Sequence, residues 1–176
     1  LDLYDGKLRA IDSEGNRTLD DISTDLYEEY FSEAVAQWSY MKFPYLKKVG
    51  REKGWNRVGP LARINMCDFI TSPLAEKERQ EFIAFTGNKV NNSTMYSHWA
   101  RLIEVLHCAE EMKILLNDPE LLGNDLVRSG TPRLKGIGII EAPRGTLTHH
   151  YEVNEKGMIT RCNLIVSTTH NNDAMN

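Results

Sequence analysis

With 176 residues, 41% of them apolar and 26% charged, the chain is long enough for one domain with a real core and has the composition of a soluble globular protein. A mean hydropathy of −0.45 and the lack of any long apolar run exclude a membrane-spanning helix. A net charge of −4 and a pI near 5.8 argue against general binding of nucleic acid or anionic membrane.

Leu1 to Arg17 carries two turn signals, Asp5-Gly6 and Ser13-Glu14-Gly15-Asn16, around KLRAI (Lys7 to Ile11). It reads either as a short β-meander or as a frayed tail. Asp25 and Glu28 have the spacing of a capping box, and Tyr27, Tyr30, Phe31, Ala34, Val35 and Trp38 recur at helical spacing. One helix is therefore expected there, until Pro44 ends or kinks it. Lys47, Lys48, Arg51 and Lys53 read as a solvated basic run. Trp55 to Ile70 lacks clean periodicity, and Gly59-Pro60 either starts a helix or makes a bend. Arg57 and Arg63 in this stretch receive no chemical role, and the isolated Cys67 reads as a small buried hydrophobe.

Ser72 (N-cap) and Pro73 (first helical position) predict a charged surface helix that stops at Gly87, with Leu74, Phe82, Ile83 and Phe85 on its narrow apolar side. Asn92 or Ser93 should cap a longer helix ending before Asn117-Asp118-Pro119, with Met95, Trp99, Leu102, Ile103, Leu106, Ala109 and Leu116 inward. His98 and His107 lack a zinc-type spacing and read as structural or exposed; Glu104 could pair with His107, and Glu110 with Lys113. Cys108 stands alone in this helix. Pro119 to Lys135 reads as a loop with at most one helical turn.

The stretch GIGIIEAPRGTLTHHY, Gly136 to Tyr151, is the centre of the chain. GIGII predicts a strand with close backbone approach at its glycines. Ala142-Pro143-Arg144-Gly145 then imposes a rigid turn, through the fixed φ of proline and the freedom of glycine. A guanidinium pinned at such a bend is either aimed into a cavity or held in a salt bridge at a hairpin corner. Thr146 to Val153 and Met158 to Ser167 form a further hairpin. Alternation places Leu147, His149, Tyr151 and Val153 with Met158, Cys162, Leu164 and Val166 on the apolar side, His149 inward and His150 away.

These residues carry a resemblance. GIGIIEAPRGTLTHHY, VGPLARIN (Val58 to Asn65), WSYMKFPY (Trp38 to Tyr45) and NLIVSTTHNN (Asn163 to Asn172) are similar to motifs of nickel–iron hydrogenase large subunits. The likeness is to the soluble, cytoplasmic branch that couples hydrogen to nicotinamide, deazaflavin or heterodisulfide acceptors, and it extends from about Leu26 onward. It implies reversible heterolytic cleavage of H2 at a nickel bridged to an iron with carbon monoxide and cyanide ligands. It also implies partners: an iron–sulfur small subunit, with further electron-acceptor subunits. Arg144 matches the arginine over the metals and Pro143 the apolar wall beside it, while Glu141 and His149 fall in the same motif as second-layer residues.

One departure stands against the match. The family holds its metals with two Cys-x-x-Cys pairs, whereas Cys67, Cys108 and Cys162 form none. Three dispersed cysteines suit a reducing compartment better than a disulfide scaffold, and the resemblance implies a cytoplasmic location. The reading is an internal portion, residues 1–176 as a single domain, of a larger subunit, with no metal ligand of its own and no activity alone. Apolar surface left bare by missing flanks would favour self-association. Alternatives are a relative of the quinone-site subunit of respiratory complex I, whose turn lacks the following histidine, or a metal-free binding or scaffold protein. GIGIIE is no dinucleotide fingerprint, and neither a phosphate loop nor a nucleophile elbow is present. The expected class is α+β: a helical core with an antiparallel sheet in the C-terminal third.

Overall fold

The computed structural model describes residue 1, residues 6–127 and residues 129–175. The chain begins with an antiparallel hairpin of β1 (Leu8–Ile11) and β2 (Arg17–Ile22). Asp12 closes the bend by accepting from the amides of Glu14 and Asn16, and Gly15 takes a φ of 90°. The second expected turn is thus a hairpin; Asp5 of the first lies outside the described residues.

The helix expected from Tyr27 to Trp38 does not form. A 3-10 turn (Thr24–Leu26) and one helical turn, α1 (Tyr27–Tyr30), lead directly into β3 (Phe31–Val35), and neither Ser23 nor Leu26 at their starts caps with its side chain. β3 pairs with β4 (Lys42–Leu46), where Pro44 stands opposite Glu33. The ladder buries Phe43, Pro44 and Leu46, whereas Trp38 and Tyr40, 71% and 99% exposed, lie in the connection. Periodicity marks which residues are apolar but does not say which backbone partner the segment will find. Arg51 leaves the basic run to pair with Asp173 at 3.0 Å and to lie over the Phe43 ring.

α2 (Pro60–Met66), α3 (Pro73–Phe85) and α4 (Tyr96–Leu115) build the core, so Gly59-Pro60 does start a helix. Ile64, Ile70, Ala75, Phe82, Ala100 and Ile103 bury together, each large apolar side chain contributing about 1.5–3 kcal/mol. Phe82 meets Trp99 and Tyr96 edge to face. Ser72 precedes α3 but caps nothing with its side chain: its buried Oγ lies 2.7 Å from His107 Nδ1. The first-turn amides of Leu74 and Ala75 donate instead to the Glu110 carboxylate of α4. α3 buries Ala75, Arg79 and Phe82 and exposes Leu74 and Phe85; α4 starts after Met95 without a side-chain cap and exposes Met95, Leu102 and Leu116.

After a 3-10 turn (Pro119–Leu122), β5 (Lys135–Ala142), β6 (Gly145–Val153) and β7 (Ile159–Ile165) make a three-stranded antiparallel sheet in that order. Two short helices follow, α5 (Ser167–His170) and α6 (Asn172–Met175). The architecture is the expected α+β one. The faces of the last sheet are reversed, however. Thr148 and His150 are buried, while Cys162, Met158, Leu164, Val166 and Ile140 are exposed, Ile140 by 62%. Tyr27 decides this: its ring packs edge-on against His150, its hydroxyl lies 2.9 Å from His150 Nδ1, and Asn163 donates to it. The more polar face therefore turns inward, with the Glu28 and Glu152 carboxylates 3.6 and 3.3 Å from the two His150 ring nitrogens. Nδ1 thus has the Tyr27 hydroxyl as partner, while the buried Nε2 makes no hydrogen bond among the described residues despite the nearby Glu152.

Candidate functional site

Ala142 and Gly145 pair across the β5–β6 hairpin, so Pro143 and Arg144 alone form its tip. Gly145 has a φ of +134°, and a Cβ there would collide with Val58 and stand 2.9 Å from the Gly59 nitrogen. Gly59, with a φ of +119°, faces back: its Cβ would lie 3.0 Å from the Arg144 carbonyl oxygen. Both glycines are thus required by close approach of two backbones and by conformations that side chains resist.

Neutral groups hold this side of the turn. Ser167 Oγ donates to the Gly145 carbonyl at 2.7 Å. Asn171 accepts from the Val58 amide at 3.0 Å and donates to the Val58 carbonyl at 3.3 Å, as a neighbouring strand would. Asn172 donates to the Lys42 carbonyl at 3.0 Å, tying in β4. Asn56 Nδ2 stands 3.2 Å from Nδ1 of His170, which is 4% exposed. Burial pushes His170 down to about 4, so at neutral pH the ring is uncharged and Nδ1 accepts.

The opposite side is charged. Arg63 of α2, its side chain 9% exposed, forks onto Glu104 of α4 through Nε at 2.5 Å and Nη2 at 2.8 Å. Nη1 donates to Glu141 at 2.5 Å and to the Ala142 carbonyl at 3.1 Å, and Nη2 reaches the Pro143 carbonyl at 3.5 Å. Burial by itself would lower the Arg63 pKa, but the hydrogen bonds and charges of Glu104, then of Glu141, outweigh it and hold it above its ordinary value. Glu141 also accepts from Thr146 Oγ1, so it bridges both strands of the hairpin.

Between these sides opens a cleft of about 1270 Å³, lined by Val58, Arg63, Glu141, Arg144, Thr148 and His170 among others. Arg144 borders it, exposed and without a hydrogen bond or ion pair among the described residues. The salt bridge at this corner belongs to Glu141 and Arg63. Pro143 is exposed beside Arg144 and stands outside the cleft lining. His149, half-buried, lies on the other face of β6 with Nδ1 3.4 Å from the Tyr151 hydroxyl, apart from Arg144. Arg57 donates to the Asn92 carbonyl at 2.9 Å. The motifs VGPLARIN and NLIVSTTHNN marked these neighbours in the sequence, but the roles of Arg63, Ser167 and Asn171 come only from their long-range partners.

The donor set does not fit a metal centre held by these residues. Among the described residues, no three His, Cys, Asp or Glu side chains stand together as ligands. Cys67 is half-buried, its thiol pushed up by burial, while Cys108 and Cys162 are exposed and remote.

Residues 12–176 match the family model described as Nickel-dependent hydrogenase. The NAD-reducing hydrogenase HoxS subunit beta of Cupriavidus necator is 48% identical over 100% of this chain and 36% of its own length. A subunit of the vhu F420-non-reducing hydrogenase of Methanococcus voltae is 44% identical over 96% of this chain and 40% of its own. The crystal structure of an NAD+-reducing nickel–iron hydrogenase in the H2-reduced state superposes with a TM-score of 0.93 at 52% identity, covering 99% of this chain and 39% of that one. This chain thus spans well under half the length of the proteins it resembles.

Proposed function

The chain belongs to the nickel-dependent hydrogenase family, and on that premise we propose that it is an internal portion of a hydrogenase catalytic subunit carrying the arginine side of the site. The observation that carries the reading is Arg144: a guanidinium without a bonded partner among the described residues, at the tip of a hairpin secured on both sides, bordering a large cleft. Residues 1–176 act as one unit of that subunit, and the thiolates holding nickel and iron come from other parts of it. The complete subunit cleaves H2 reversibly and heterolytically at a nickel–iron centre with carbon monoxide and cyanide on the iron. It passes electrons to an iron–sulfur partner and further acceptor subunits, in the cytoplasm. By itself this portion is inactive and binds no nickel.

Because a guanidinium does not give up its proton in proteins, Arg144 contributes orientation and electrostatic stabilisation rather than general-base chemistry. Its planar set of donors, carried on a held turn, suits that task better than a lysine. Pro143 serves by fixing the backbone angle just before it. Glu141 serves through Arg63. In a complete subunit, Arg144→Lys should fold, take up nickel and lose most turnover. Turnover at the wild-type level in that variant, at full nickel content, would remove the role.

A further inference from the structure

We propose that Arg63 is the positioning residue for Arg144, setting where its guanidinium stands in the cleft; the inference rests on the role given to Arg144 above. Arg144 has no side-chain partner among the described residues, so the held backbone of the turn, which fixes where the side chain starts, is the constraint on its place in the cleft. Arg63 acts on that backbone. Its Nη atoms hold the Ala142 carbonyl at 3.1 Å and the Pro143 carbonyl at 3.5 Å, the two peptide units that lead into Arg144. Through Glu141 it also reaches Thr146 on the returning strand. The tip is therefore gripped before Arg144 by Arg63 itself and after it by Glu141, which Arg63 holds.

The other end of the grip is rigid. Glu104 takes Nε and Nη2 together, in the two-pronged geometry that only a guanidinium offers, from the middle of the 20-residue α4. A buried ion pair is a poor device for stability alone, since apolar packing of equal volume serves as well or better. It does confer direction. Here the bonds of Arg63 run from the helical core to a hairpin tip that Gly59 and Gly145 already pack against. A lysine would keep the charge but could not hold Glu104, Glu141 and two carbonyls at once.

The test uses the complete hydrogenase complex with Arg63→Lys, Glu104→Gln, Arg144→Lys and the double variant Arg63→Lys/Arg144→Lys. Turnover is normalised to bound nickel, and kcat and KM for H2 are measured separately. Arg63→Lys should lower kcat by about 10- to 100-fold with KM nearly unchanged, the cost of a misplacement near 1 Å. Added to Arg144→Lys, it should cost less than about 3-fold more, because it acts through the same residue. Glu104→Gln, which leaves Arg63 in place but weakens the fork, should lose about 3- to 10-fold in kcat. A crystal structure of the Arg63→Lys complex should show the Arg144 guanidinium displaced.

Losses that multiply in the double variant, an unmoved Arg144, or wild-type kcat in both single clamp variants would overturn the positioning role and leave that of Arg144 standing. Failure of both clamp variants to load nickel would make Arg63 a folding residue only, and overturn it too. Undiminished turnover in Arg144→Lys would remove the premise and this inference together.

Discussion

The two sides of the Arg144 turn are built on different physics. On one, formal charges are concentrated, with Arg63 and Glu104 largely buried and Glu141 at the exposed edge. On the other, Ser167, Asn171, Asn56 and His170 use neutral hydrogen bonds, with glycine against glycine between them. The neutral side sets how close the backbones come, because steric contact is steep and short-ranged. The charged side sets direction at high stakes: paired it is stable, but either partner left alone in the interior is costly. The Arg144 side chain borders the cleft between them and, among the described residues, bonds to neither.

That difference can be broken from the charged side first. Arg63→Ala strands the Glu104 carboxylate and should destabilise the fold by about 3–5 kcal/mol in chemical denaturation. A loss under about 1 kcal/mol would mean that solvent reaches Glu104 and that the grip is weak.

The neutral side is best probed by pH. Unfolded, His170 titrates near its ordinary 6.5; folded, burial brings it to about 4. Between those values the unfolded chain binds a proton that the folded chain refuses. Stability is therefore complete above pH 6.5 and falls as the pH drops toward 4, by up to about 3 kcal/mol. His170→Phe should lack that slope. An unchanged slope in the variant would place its origin elsewhere.

Arg144→Ala marks the residue that belongs to neither side and should move stability by less than about 0.5 kcal/mol. A larger loss would show that Arg144 has a partner supporting the fold. Together with the large effect at Arg63, a null effect here would separate the arginine that builds the site from the one that faces the cleft.

Much of this arrangement was legible along the chain. Proline and glycine at Ala142-Pro143-Arg144-Gly145 demanded a tight turn, Ser72-Pro73 and Gly87 bounded α3, and the β5–β7 strands followed from their alternation and turn residues. The Tyr27–Trp38 stretch misled because its apolar spacing suits a helix, while pairing of Phe31–Val35 with Lys42–Leu46 satisfies the backbone in another way. His149 and His150 were exchanged for a related reason. Alternation tells which residues share a face, but only the packing of Tyr27 tells which face is covered.

Local chemistry by itself determined where the chain turns, the strands around the Arg144 tip, the α+β class, and the motifs that mark the family. Those features depend on neighbours within a few residues: a fixed φ, a missing Cβ, a period of two. Tertiary structure alone decided that Arg63 grips the tip from α2, that Gly59 and Gly145 meet, and that Arg144 is left unpaired at the cleft among the described residues. These contacts join residues separated by about 80 positions along the chain, and a guanidinium next to two carbonyls looks, in sequence, like any other arginine on a short helix.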